Sequence, residues 1–416
     1  MRESLCPRDR ERLRRLAFRQ RELAEGQASK RRIQLWRELN DSGSLHPPIA
    51  VETWTFDPDF LPPSLLECEG EEARRLEYGF LTHIRREEEI RDDQPVPDAC
   101  YIGWGISVNR FGLPVATTFA EDAQGRAIGY RQEHPIRDLC ADIKKLRPVE
   151  IRMDKAATFE RQARLDALFG DLLPVRIAGP ALEIHLTSHL IALMGMEYFY
   201  TCLYDYPEEM AELMRYITDN ERRLLTFYEE NGLLRPTDDY RHIATSYLST
   251  SRAPGSGEAV RLRDVWAWAE AEETVGLSPR MFTEGILPYF RELGELAGKI
   301  YYGCCEPMQD TLPAILQALP RIGKVSVSPW SDEAKVAELL RGTGIVYSRK
   351  PRASLVGVAE TLDEDAFRSH IAATLEAARG CPCEFIFRDI YTVHGNLGKI
   401  RRAVELTREV IDKAGR

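Results

Sequence analysis

Several common sequence signals are missing from this chain of 416 residues, and each absence argues against a class of protein. No uncharged apolar run approaches the roughly 18 residues that cross a membrane, and the Arg- and Glu-rich start lacks the apolar core of a secretory signal. We therefore expect a cytoplasmic protein. The chain also lacks a phosphate-binding P-loop, a dinucleotide glycine fingerprint and a Gly-x-Ser-x-Gly elbow, which argues against those nucleotide-binding and serine-hydrolase classes.

Cysteine pattern and charge exclude two further classes. The nine cysteines are odd in number and irregularly spaced, which favours reduced thiols over a disulfide framework. The formal net charge of −10 argues against nucleic acid as the main partner.

Short apolar runs that alternate with helical stretches dominate the chain from about residue 150, and strands are predicted among them near 242–247, at 344–348 and at 385–388. This alternation predicts βα units and a parallel sheet, and its scale predicts a closed (β/α)₈ TIM barrel. We assign residues 1–45 to an N-terminal helical segment and residues 46–416 to the barrel, with a strand-and-hairpin insertion at about 95–150.

Residues that follow the strands of such a barrel meet on one face and build its active site. The strand predicted over 298–302 is followed by Cys304-Cys305-Glu306, whose thiolates and carboxylate suit a soft cation such as zinc; the alternative is a buried packing pair. Cys381 and Cys383 precede their strand and are expected on the opposite face. The other residues expected at the mouth are Glu52, Trp54, Glu183, His185, Tyr247, Trp330, Arg349, Lys350, Asp389 and Tyr391.

Two further groups allow two interpretations. The run Arg349-Lys350-Pro351-Arg352 is either a solvated loop or an anion clamp. Glu270, Glu272 and Glu273 indicate a solvated acidic helix start, or else acids near the mouth.

Longer motifs carry a family resemblance. The runs at 272–279, 302–307, 325–330, 347–351 and 387–393 resemble the uroporphyrinogen decarboxylase superfamily over about residues 8–414. The branch that looks most similar contains methyltransferases and demethylase components. The corresponding N-terminal strand, 49–54, has no arginine to grip a tetrapyrrole, so decarboxylation of uroporphyrinogen is not expected. Tyr302-Gly303-Cys304 stands where that branch has a zinc-binding His-x-Cys, so Cys305 and Glu306 would replace the histidine, or the site would lack a metal.

The resemblance implies transfer of a methyl group from a small donor, such as an aryl methyl ether, to a corrinoid on a partner protein. Zinc on Cys304, Cys305 and Glu306 would activate the leaving oxygen. In a metal-free site Asp389 or Glu273 would be the acid and Arg349 would hold an anionic donor. Two alternatives stay open, a decarboxylase that holds a small carboxylate with Arg349 and His185, and a non-catalytic binding barrel. Oligomeric state, with a homodimer among the options, is also open.

Overall fold

The computed structural model describes residues 5–121, 127–236 and 258–415, and it is a mixed α/β structure. Its strands, β1 to β13 in chain order, are Ile49–Val51, Cys100–Ile102, Gly105–Asn109, Ala116–Glu121, Ala127–Glu133, Glu150–Asp154, Val175–Ile177, Leu182–Ile184, Trp266–Ala269, Lys299–Tyr302, Ile322–Val327, Val346–Arg349 and Cys383–Phe387. Its helices, α1 to α16, are Pro7–Glu25, Gln27–Arg37, Asp57–Phe60, Glu71–Arg85, Leu139–Asp142, Lys155–Phe169, Leu186–Met194, Met196–Asp205, Pro207–Glu230, Pro279–Gly285, Leu287–Gly294, Leu312–Ala318, Glu333–Leu340, Ser354–Gly357, Glu364–Ala377 and Leu397–Lys413. Within the described ranges, no helix is long and apolar enough to cross a membrane.

A seven-stranded parallel sheet in the order β1-β13-β12-β11-β10-β9-β8 organises the fold and curls into a half-barrel. The predicted alternation of strands and helices is therefore confirmed, but in the described residues the barrel is not closed. Strands β2 and β7, which would lie between β1 and β8, pair only with each other.

Side-chain hydrogen bonds along the free edge of β1 explain why the sheet ends at this strand. Asp93 and Asp92 accept hydrogen bonds from the backbone N–H groups of Ile49 and Val51, both at 2.8 Å. Gln94 donates its side-chain amide to the Val51 carbonyl at 2.9 Å. Because side chains satisfy the backbone groups that a neighbouring strand would use, β1 is an edge whose hydrogen bonds are already filled.

Two apolar clusters bury the helices. The larger one packs the helices on the outer face of the seven-stranded sheet, and the smaller one joins α1, α4 and α6 to β2 and β7. Several helices begin where a side chain accepts from the first turn, as Asp154, Asp332 and Asp363 do. These caps fix the residue at which each of these helices begins.

Three strand predictions need correction. Trp266 and Trp268 lie in strand β9, where the sequence predicted no strand. The strands predicted at 344–348 and 385–388 are instead Val346–Arg349 and Cys383–Phe387. The predicted strand near 242–247 lies outside the described residues.

Candidate functional site

Strand side chains alternate between the two faces of the half-barrel, and many of the polar ones lie on the inner face. Apolar residues such as Val325, Val327 and Phe385 point outward into the larger cluster. Their neighbours in sequence point inward, which brings the residues at and just beyond the carboxyl ends of the strands together. The inward set at that end includes Glu52, Trp268, Glu270, Cys304, Ser326, Lys350 and Arg388.

The thiol pair lies at the centre of this end. Cys304 follows Gly303, whose φ of 97° and close approach to Met308 exclude a side chain, so the loop turns sharply after β10. The Sγ atoms of Cys304 and Cys305 are 3.6 Å apart. Both residues are half-buried, so the pair is reachable from the mouth.

The neighbours of the two sulfurs differ. Arg388 donates from Nη1 to the Cys304 Sγ at 3.4 Å, while the Cys305 Sγ lies 3.8 Å from Oδ2 of Asp389. The hydrogen bond between the thiols lowers the pKa of Cys305 and, with burial, raises the pKa of Cys304. The pair therefore holds one of its two protons more tightly than the other.

Glu272 completes a group of ligand atoms with the two thiols. One ligand atom from each of Glu272, Cys304 and Cys305 lies within 4.8 Å of the others. Oε2 of Glu272 is buried and has no hydrogen-bond partner. Two thiols and a carboxylate are a donor set that zinc accepts, and an unsatisfied buried oxygen is what a cation would pair with.

Glu306, the predicted third ligand, is used differently. One of its carboxylate oxygens accepts from the Cys304 N–H at 2.7 Å and the other from the Ala271 N–H at 3.4 Å. Its full burial raises its pKa. Glu306 therefore braces the thiol loop from below, and it is Glu272 that stands beside the sulfurs.

Two more carboxyls from the same loop have raised pKa values. Burial, together with the charge of Glu273, raises the pKa of Glu270 to about 9. Burial also raises the pKa of Glu273, whose Oε2 accepts from the Thr187 hydroxyl at 2.6 Å. The sequence singled out Glu273 but left Glu270 in a solvated helix start; recognising β9 as a strand would have put it at the mouth.

Arg388 is a site residue that the sequence analysis missed. Its guanidinium forms a buried ion pair with Glu52, with Nη2 2.7 Å from Oε1, and lies over the Trp268 ring at 5.8 Å. Hydrogen bonding to Glu52 raises the Arg388 pKa, despite burial that opposes it. Glu52 thus holds Arg388 against Cys304 rather than facing a ligand. Strand alternation from Glu384 would have placed Arg388 inward.

Arg349 was predicted at the mouth as an anion clamp, but it lies on the other face of its strand. It is buried, it forms an ion pair with Glu333 at 2.5 Å, and it donates to the carbonyls of Val327 and Ser328. The strand extends through Arg349, so the period of two turns Arg349 toward the helices and Lys350 inward. Lys350 donates to the Cys304 carbonyl at 2.6 Å.

His185 follows β8 and lies beside Trp268 at the mouth. Its ring packs edge-on against Trp268 with 4.5 Å between centroids, and burial lowers its pKa to about 4. Its Nε2 is buried without a hydrogen-bond partner. His185 is therefore a neutral ring in neutral solution.

The remaining predicted residues differ in exposure. Trp54 and Trp330 follow β1 and β11 and are 63% and 75% exposed. Asp389 follows β13 with a φ of 61°, a conformation that non-glycine residues seldom adopt. Tyr391, two residues further on, is 76% exposed. Tyr247 lies outside the described residues.

Fold and site together define a parallel α/β protein with thiols and carboxyls at the carboxyl ends of its strands. No protein-family model matches the chain, and no curated protein matches it. Among solved structures, a methyltransferase from Methanosarcina mazei aligns with a TM-score of 0.43 at 11% identity, over 81% of this chain and 85% of that chain. At this score and identity the likeness supports neither a function nor a family, and the resemblance to the uroporphyrinogen decarboxylase superfamily stays a prediction.

Proposed function

We propose that this protein is a methyltransferase that activates its methyl donor at a soft-metal site. The observation that carries the proposal is the group formed by Glu272, Cys304 and Cys305, whose ligand atoms lie within 4.8 Å of one another at the carboxyl end of the sheet. The unpartnered Oε2 of Glu272 supports the same assignment. Zinc bound there would act as a Lewis acid toward the leaving oxygen of a methyl ether.

The chain's own residues supply the proton chemistry. At neutral pH Glu270, with its pKa near 9, holds a proton that an oxyanion leaving group needs, and burial also raises the pKa of Glu273. Arg388 holds Cys304 in place and is itself held by Glu52. These roles replace the earlier expectation that Asp389 is the acid and Arg349 the donor clamp.

Three exposed aromatic side chains support docking of the methyl acceptor. Trp54, Trp330 and Tyr391 are exposed beyond the ends of three strands that belong to one sheet. Flat aromatic surface at a mouth favours a flat, largely apolar partner group, in keeping with a corrinoid supplied by a separate protein. A small methylated compound, with aryl methyl ethers as the first class to test, is the proposed donor.

Methyl transfer to free cob(I)alamin tests this function, because methylation changes the cobalamin absorbance. We expect zinc-loaded protein to methylate it from one member of an aryl methyl ether panel, and Cys304→Ser and Glu272→Gln to lower the rate by at least about tenfold. Cys383→Ser is the matched control, since Cys383 is fully buried in β13. Equal rates in Cys304→Ser and wild type would contradict the proposal.

The decarboxylase alternative has less support from the residues assigned to it. Arg349 is buried against Glu333, and His185 is neutral, so neither is placed to hold a carboxylate by charge. Carbon dioxide release from the protein alone, without cobalamin, would favour this reaction. A binding protein without catalysis would instead show a ligand-induced rise in melting temperature and no turnover.

A further inference from the structure

We propose that Cys304 and Cys305 are a redox pair that interconverts between two thiols and a disulfide joining adjacent residues, by exchange with low-molecular-weight disulfides such as oxidised glutathione. This inference goes beyond methyl transfer and does not require that the sulfurs bind zinc. It concerns a modification site rather than a step of the reaction.

The geometry of the pair carries the proposal. The two Sγ atoms are already 3.6 Å apart, and both residues are half-buried at the mouth. Cys381 and Cys383 offer an internal comparison, because each is fully buried and its Sγ points to a backbone carbonyl, of Ala337 and of Glu384. Only the first pair combines contact between its sulfurs with access for a small disulfide.

The surroundings of the two sulfurs differ. Arg388 donates to the Cys304 Sγ at 3.4 Å, and a cationic donor stabilises negative charge on that sulfur during exchange. The Cys305 Sγ lies 3.8 Å from Oδ2 of Asp389.

The exchange balances as follows. One protein thiolate attacks one sulfur of the small disulfide, a mixed disulfide forms, and one small thiolate leaves. The second protein thiol loses its proton to solvent and attacks the protein sulfur of the mixed disulfide, so a bond between the two protein sulfurs forms and the second small thiolate leaves. The two protein thiols are oxidised, and one small disulfide is reduced to two thiols.

Backbone spacing makes the product easy to reduce. Neighbouring Cα atoms across a trans peptide are about 3.8 Å apart, whereas disulfides favour roughly 4.4–6.8 Å. A bridge between adjacent residues is therefore strained, and strained bridges are the readily reversed ones. The bridge would also remove the thiolates that a metal needs, so oxidation and metal binding exclude each other.

Peptide mass spectrometry after alkylation tests the proposal on metal-free full-length protein held in glutathione buffers of stepped oxidation. We expect the peptide with Cys304 and Cys305 to lose two hydrogens and to regain them with reduced glutathione. We expect Cys304→Ser and Cys305→Ser each to stop at a glutathione adduct on the remaining thiol. Cys381 and Cys383 should stay unbridged throughout.

Two results would overturn the redox pair. One is wild-type protein in which both thiols stay reduced in buffers that oxidise a free dithiol peptide of the same sequence. The other is a stable glutathione adduct on wild type that never resolves to a bridge. Zinc content is measured on the reduced half of each sample, so absence of metal would count against the proposed function and leave the redox result to stand by itself.

Discussion

Two polar clusters lie on the inner face of the same sheet, and they differ in how completely their groups are paired. In the first, Lys324 and Glu384 are fully buried and form an ion pair, Ser348 donates to Glu384 at 2.6 Å, and Trp36 from helix α2 lies 5.2 Å from the Lys324 Nζ. We call this the sealed cluster.

The candidate site, at the carboxyl ends of the strands, is not sealed. Its thiols are half-buried, Oε2 of Glu272 and Nε2 of His185 have no partner, and Glu270 has its pKa raised to about 9. The same sheet therefore carries one set of buried groups that is fully paired and another that is not. Incomplete pairing of this kind is typical of a site that waits for a ligand.

Breaking the sealed cluster should have the largest effect on stability. Lys324→Met leaves the Glu384 carboxylate buried without its partner, and we expect the free energy of unfolding to fall by about 3–5 kcal/mol. Urea denaturation measures this loss. The double variant Lys324→Met, Glu384→Leu removes both charges, so it should recover most of the lost stability. A double variant as unstable as Lys324→Met would show that packing, not charge, is responsible.

Arg349→Met tests whether this arginine is structural. The change leaves Glu333 without its ion pair and two carbonyls without a donor, so we expect a loss of about 1–3 kcal/mol. The KM of any methyl donor should stay as in wild type at a temperature where both are folded. A KM that rises while stability is unchanged would instead support a role for Arg349 as an anion clamp.

Glu270→Gln should stabilise the protein at neutral pH. The unfolded carboxyl loses its proton near pH 4.5, whereas the folded one keeps it to about 9, so its contribution to stability is greatest at low pH and falls as the pH rises through this window. The variant should gain on the order of 1–3 kcal/mol over wild type by pH 8 and almost nothing at pH 4. Unfolding curves at the two pH values measure this, and a constant difference would contradict the raised pKa.

Trp330→Ala should have the smallest effect on stability. The side chain is 75% exposed, so we expect a change within about 0.5 kcal/mol. Transfer to cobalamin should nevertheless slow, because the ring lies where the acceptor is proposed to dock. Ala substitution at Phe159, a 51% exposed aromatic on helix α6, is the matched control and should leave transfer unchanged.

The alternation of strands and helices was enough to predict the parallel sheet and to place the thiols at its carboxyl end. It was not enough to predict where pairing ends, because Asp92, Asp93 and Gln94 fill the edge of β1 with side-chain hydrogen bonds that leave no periodic pattern. A boundary error of one residue in β12 then put Arg349 on the wrong face, since side chains alternate at every residue.

Other parts of the site needed contacts that are distant in sequence. Glu306 is set apart from the proposed metal ligands by its bonds to the N–H groups of Cys304 and Ala271. Arg388 contacts Cys304 and is held there by Glu52, which follows the first strand of the sheet. Residue types alone do not distinguish a carboxylate that braces a loop from one that faces a cation.

Metal analysis of purified protein after zinc loading tests the central claim most directly, with wild type compared with Cys304→Ser, Cys305→Ser, Glu272→Gln and the buried control Cys383→Ser. We predict about one zinc per chain in wild type and in Cys383→Ser, loss in both thiol variants, and weaker retention in Glu272→Gln. No zinc in reduced wild type, or the same content in Cys304→Ser, would contradict the claim that the unsealed end of this sheet is a metal site.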